Sequence, residues 1–180
     1  MVTMIEAKRS IYAEEIFKLA EEKENRVFYN SSAEHATIVH QALMKTAEQY
    51  VYIFSSGMCT EISNNNDYCN AARNFLVGDK SRKIKILLTD YSEDFCQMPI
   101  AKMLFEYPIQ VTVKKYPGNI YYKNSPAHFT VTDDRAFRLE TDIKNHMAFG
   151  NFNSPTQAIA LKSIFEKAFE SPLASSISIF

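Results

Sequence analysis

Apolar and polar positions alternate along this chain in two rhythms, one of helices and one of strands. Ile5, Tyr12, Ile16 and Leu19 recur at helical spacing behind a capping box of Thr3 with Glu6, which predicts an N-terminal helix reaching about Asn25. Arg26 to Tyr29 reads as a short strand. Ser31 with Glu34 makes a second capping box, and Ile38, Ala42 and Leu43 mark the inner side of a helix from Ala33 to about Gln49. The unbroken run Tyr50 to Ser55 predicts a buried strand ending in a Ser-Ser-Gly turn. Asn64 to Asp67 caps a helix extending to Leu76, Lys83 to Asp90 is the next strand, and a helix follows from about Glu93 to Phe105. Ile109 to Tyr116 alternates as a strand, and Ser154 with Pro155 opens a last helix carrying Ile159, Leu161, Ile164 and Phe165. Strands alternating with helices, without repeat or linker, predict an α/β fold: one mixed β-sheet with helices on both faces. Residues 1–25 are expected to be an added arm or packing helix, and residues 26–180 a single domain.

Composition narrows the classes. A chain of 180 residues, 46% hydrophobic, can bury roughly 70% of its unfolded surface around one core. The formal charge of -1 provides no global basic field, so any contact with nucleic acid must come from a local patch. The densest basic cluster lies between Asp79 and Lys85, where Arg82, Lys83 and Lys85 are candidate phosphate contacts; a solvated loop is the bland reading. Three cysteines, Cys59, Cys69 and Cys96, lack CxxC spacing, which argues against a disulfide scaffold or Cys-rich zinc site and for a reducing, cytoplasmic setting. No run approaches the ~20 apolar residues of a membrane span, so no membrane partner is expected. The short apolar tail LASSISIF is expected to dock on the body or on a partner. The four glycines, Gly57, Gly78, Gly118 and Gly150, cannot supply a GxxxxGK[ST] loop or a GxGxxG fingerprint, and HExxH and GxSxG are absent. No cofactor and no metal is expected; His35 and His40 fall on different helix faces.

The chemistry concentrates between Pro126 and Pro155. His128, Thr130 and Thr132 alternate with Phe129 and Val131, an acidic turn follows, and a second strand leads on to Gly150-Asn151-Phe152-Asn153. If Asp133, Asp134 and Arg135 form a three-residue turn, Thr130 faces Arg138 and His128 faces Glu140. Arg138 could then grip a phosphate and Glu140 could orient His128. A two- or four-residue turn puts both on the other face, as a solvated ion pair. Tyr121 and Tyr122 read as base-stacking or packing residues, His146 as a loop contributor or a solvated side chain, and Cys59, with no base adjacent in sequence, as inert.

These residues resemble the phospholipase D superfamily, whose His-x-Lys-x4-Asp motif lies on a strand and is followed by a Gly-Ser-x-Asn-like element on the next. His128 fits the family histidine, and Gly150 and Asn153 fit the ends of the second element. Thr130 stands at the lysine position and Asn151 at the serine, while Arg135 stands where the motif's Asp belongs, just past Asp133 and Asp134. The resemblance is specific over residues 126–155 and follows the element order from Arg26 to Ser171. It implies a phospholipase D-like fold and metal-independent phosphodiester cleavage, with His128 as nucleophile or acid. Thr130, Arg138 and Asn153 would hold phosphate beside Gly150 and Asn151, and a homodimer would bring two His128 together. The lost lysine weighs against catalysis, since one lost donor in such a site costs ~10²–10³ in rate. Three readings stay open: a phosphodiesterase or nuclease, acting on nucleic acid or another phosphodiester; a catalytically inactive module for nucleic-acid binding, regulation or assembly with a protein partner; and an unrelated α/β domain matching by chance.

Overall fold

A run without polar positions belongs inside a sheet, and Tyr50–Ser55 (β2) lies there, parallel to Lys83–Leu88 (β3) on one side and antiparallel to His128–Thr132 (β7) on the other. The computed structural model describes residues 4–177, with side chains from residue 11 onward. The helices are Met4–Glu21 (α1), Ala33–Thr46 (α2), Thr60–Ser63 (α3), Asn66–Gly78 (α4), Pro99–Leu104 (α5) and Pro155–Phe169 (α6). The other strands are Val27–Ser31 (β1), Val111–Lys115 (β4), Tyr121–Tyr122 (β5), Ser125–Pro126 (β6), Ala136–Asp142 (β8), Met147–Asn151 (β9) and Ser175–Ser176 (β10). Eight strands form one mixed sheet in the order β1-β9-β8-β7-β2-β3-β4-β10, and β5 with β6 makes a separate small hairpin.

Period-two alternation divides the sheet's side chains between two cores. Val51, Ile53, Ile84, Ile86 and Val113 pack under α4 and α5, and α1 and α2 extend that layer over Phe28 and Ala136. Tyr52, Phe54, Leu87, Phe129, Val131, Phe137 and Leu139 pack on the opposite face under α6, against Phe165 and Phe169. The mixed sheet with helices on both faces is the architecture the periodicity predicts.

Element ends differ from the sequence reading for identifiable reasons. Ser31 closes β1, and it is Ser32 whose hydroxyl accepts the His35 N–H and caps α2. Asn65 caps α4, and the short α3 precedes it unannounced. The stretch from Glu93 to Phe105 is a 3-10 turn, Glu93–Gln97, then α5, because Pro99 forces Met98 out of helical geometry. On α6 the inward side is Ala158, Phe165, Ala168 and Phe169, whereas Ile159 and Ile164 face solvent. Ile16, Leu19 and Ala20 of α1 are buried against α2; the Thr3–Glu6 box and the Ile5 side chain lie outside the described residues. The tail docks through β10, which pairs with Lys114 and Lys115, up to Ile177; the rest of LASSISIF lies outside the described residues. Among the described residues no helix is long and apolar enough to cross a membrane.

The hairpin of β7 and β8 turns on Asp133, Asp134 and Arg135, with both aspartates in the left-handed region at φ 54 and 50. The Asp133 carboxylate accepts the N–H groups of Glu48, Gln49 and Tyr50, so the acidic turn is tied to the start of β2. Thr132 therefore pairs with Ala136, Thr130 with Arg138 and His128 with Glu140.

Candidate functional site

That register places His128 and Thr130 of β7 beside Arg138 and Glu140 of β8 on one face. They line a cavity of about 320 Å³ together with His40 of α2, Ser55 at the end of β2 and Ser56 just past it, Asp90 and Ser92 past β3, and His146 of the β8–β9 turn. The cavity thus opens at the carboxyl ends of parallel strands, where α/β sheets place ligand sites.

His128 is held at both nitrogens. The Ser56 N–H donates to Nε2 at 3.0 Å, so the neutral ring carries its proton on Nδ1, directed at Glu140 Oε2 at 3.1 Å. The other Glu140 oxygen accepts from Arg138 Nη2 at 2.8 Å and lies 3.6 Å from His146 Nδ1. Arg138 Nε donates to Asn30 Oδ1 of β1 at 3.0 Å, and the side chains of Arg138 and Glu140 are only 3% and 6% exposed. Burial works against an ionised Glu140, but the His128 hydrogen bond and the Arg138 guanidinium outweigh it and hold the carboxyl at about 2. His40 touches the cavity yet is walled in by protein; burial, reinforced by the Arg138 charge, pushes its imidazole down to about 3. His40 is therefore neutral at pH 7, with Nδ1 3.5 Å from the Thr130 hydroxyl.

Other expected contributors lie elsewhere. A tight turn at Ile143–His146 divides the second strand into β8 and β9, so β8, not the strand of Gly150, lies next to His128. Asn151 is buried and donates to Asn25, and Asn153 donates its backbone N–H to Asn151. Neither asparagine lines the cavity, nor does Gly150, which faces Arg138 but leaves its space to the Phe28 ring. Arg82 binds the carbonyls of Glu48 and Phe75 at the far end of the sheet, and Lys83 reaches the Ile109 carbonyl. Lys85 lies over the Tyr52 and Phe169 rings on the α6 face. The basic run is thus spread over structural roles and does not border the cavity. Asp134 and Arg135 likewise tie the turn to Tyr50, Lys162, Thr46 and Phe152. Tyr121 and Tyr122 sit in the small hairpin, away from the cavity lining.

Four contributors escaped the sequence reading: Asn30, His40, Ser56 and Cys59. Cys59 does have a base beside it, because the fold brings His146 Nε2 to 3.9 Å from its sulfur. Ser56 acts through a backbone amide, which no residue type advertises. His40 gave no signal either, because two positions from Ile38 it falls off the stripe of Ile38, Ala42 and Leu43.

The sequence matches the model of a family described as a domain of unknown function (DUF7931) over residues 32–176. No curated protein sequence matches it. Among solved structures it is similar to TrmBL2, an archaeal chromatin protein described as showing a novel mode of DNA binding, at 16% identity and a TM-score of 0.60. That match covers 96% of this chain, which spans just under two thirds of the chromatin protein, 64%. NucT from Helicobacter pylori is 14% identical with a TM-score of 0.56, over 84% of this chain and 99% of NucT. A phosphatidylserine synthase from Haemophilus influenzae Rd KW20 is 11% identical with a TM-score of 0.48, over 86% of this chain and 40% of the synthase. At these identities the likeness is one of fold, and the fold is phospholipase D-like.

Proposed function

The chain belongs to the DUF7931 family, matched over residues 32–176, and we propose that its histidine-lined cavity receives a phosphodiester group of nucleic acid and cleaves it through His128. The observation that carries this is the pairing of His128 with Glu140 and of Thr130 with Arg138. It gives the histidine a carboxylate to orient it and sets Arg138 across the hairpin from Thr130, which supports the guanidinium as the substitute for the lysine of the resembling family. Guanidinium binds phosphoryl oxygens bidentately and stabilises the charge that gathers on them in transfer. In this reading the Nε2 lone pair attacks phosphorus as the Ser56 N–H lets go, a P–O bond breaks, and the leaving oxygen takes a proton from the second His128 of a homodimer. Water then gives a proton back to that second His128 as its oxygen attacks the phosphohistidine, the P–N bond breaks and the imidazole is restored. The DNA binding described for the chromatin protein makes nucleic acid the favoured phosphodiester. Residues 26–180 act as one phospholipase D-like unit, with residues 1–25 added in front.

A second reading, an inactive nucleic-acid-binding module, draws on two contacts. Glu140 already meets the Arg138 charge, and the Ser56 N–H already occupies His128 Nε2.

The test is cleavage of single- and double-stranded DNA and RNA in EDTA by wild type and His128→Ala. Activity that survives the chelator and vanishes in the variant supports catalysis. Equal behaviour of the two proteins, with retained nucleic-acid binding, supports the inactive module.

A further inference from the structure

Cys59 and His146 line the cavity, and with the exposed Glu61 they bring a thiol, an imidazole and a carboxylate together, each able to offer one ligand atom within 4.8 Å of the others. The Cys59 sulfur and His146 Nε2 are already 3.9 Å apart. Tetrahedral zinc, with bonds of about 2.0–2.3 Å, holds such donors roughly 3.5 Å from one another. The Cys–His pair needs to close by only a few tenths of an ångström, and the exposed Glu61 side chain is free to swing.

We propose that Cys59, Glu61 and His146 form a binding site for a divalent ion of the zinc class, with its fourth position open to the cavity. The imidazole is already oriented for ligation, since Nδ1 faces Glu140 Oε1 at 3.6 Å and leaves Nε2 toward the cysteine. A carboxylate behind a ligating histidine is the usual way such rings are oriented and made more basic. The backbone holds both positions in place. Met58, just before Cys59, has φ 60, and His146 has φ 53 with its carbonyl gripped by the Asn30 amide. Left-handed geometry at non-glycine residues persists only where surrounding structure fixes it.

The donor set also selects the ion. Magnesium and calcium take oxygen ligands, whereas a thiolate with an imidazole suits zinc and its neighbours. On binding, Cys59 Sγ–H releases its proton to solvent and the sulfur lone pair bonds to the ion. The thiolate and the Glu61 carboxylate then balance the two positive charges. This site does not depend on the phosphodiester reading, because its ligands are distinct from His128 and Arg138 and its readout is spectroscopic.

Cobalt(II) is the probe. Titrating the full chain, stripped with chelator and exchanged into clean buffer, should saturate at one ion per chain. It should give a near-ultraviolet thiolate-to-cobalt charge-transfer band together with visible bands of tetrahedral strength, both removed by added zinc. Cys59→Ser should abolish the charge-transfer band. Glu61→Gln, at an exposed position that does not threaten the fold, should weaken binding roughly 10-fold or more, about what is lost when a ligand's support is removed. Cys69→Ser and Cys96→Ser should leave the spectrum intact. A wild-type protein without the band, or a band that survives Cys59→Ser, overturns the proposal and leaves the pair as an ordinary thiol–imidazole contact.

Discussion

Glu140 is where the charges of the cavity converge, since it accepts from Arg138 and His128 and faces His146. Its carboxyl is held at about 2, below the ordinary 4.5, so its stabilising contribution is complete above pH 4.5 and disappears as pH falls toward 2. The difference corresponds to about 3 kcal/mol at neutral pH. Glu140→Gln leaves the buried Arg138 without a counter-charge and should cost ~3–5 kcal/mol in urea unfolding at pH 7. His40 acts in a higher window. Its folded value of about 3 lies below the ordinary 6.5, so below pH 6.5 the unfolded chain binds a proton that the folded one refuses. Stability should therefore fall with acidification from pH 6.5 by up to ~1.4 kcal/mol per pH unit. His40→Gln should flatten the curve between pH 6.5 and 4.5, before Glu140 starts to titrate. At this scale the sequence showed His128, Thr130, Arg138 and Glu140, because strand alternation turns positions two apart into neighbours on a face. It hid Asn30, His40 and Ser56, which arrive from a distant edge strand, helix and loop that no short period connects; His146 was legible only as a loop residue that could join the site.

Among elements, the β7–β8 hairpin decides whether the cavity exists. A turn one residue longer or shorter would carry Arg138 and Glu140 to the α6 face. Asp133 sets that turn by receiving three N–H groups from the segment entering β2. Asp133→Ala should strand those donors and strain the left-handed position, lowering stability by ~2–4 kcal/mol in thermal or urea unfolding. Any cleavage activity should fall further than the unfolded fraction explains, since the register itself is loosened. Gly150→Ala probes the neighbouring strand pair. A Cβ there meets the Phe137 carbonyl and the Phe28 ring, and a loss of ~1–3 kcal/mol is expected from overpacking β9 against β1. Long apolar strands such as Tyr50–Ser55 were legible, whereas α3, the β5–β6 hairpin and the turn splitting β8 from β9 were not. Elements of two to four residues contain too few positions for a period to show.

For the whole molecule, alternating strand and helix signals sufficed for the fold class, because each element buries one face and only layered arrangements cover them all. Strand order was beyond their reach, since pairing between remote segments leaves no trace in local pattern. The proposed homodimer belongs to this scale: sedimentation should give twice the monomer mass, and a monomeric protein at working concentrations would remove the second histidine from the mechanism. The strand order also dictates how the chain must come to rest. Among the described residues β1 pairs only with β9, a strand made after all of β2 to β8, and β10 joins β4 later still. During synthesis β1 waits, its N–H and C=O groups without their β9 partners, while every strand from β2 to β8 emerges. Closure of so long a loop makes folding slow and places its decisive step after translation of residue 151. Ribosome-bound chains stalled short of β9 should remain open to proteolysis near Val27, and those stalled far enough beyond it to clear the exit tunnel should resist.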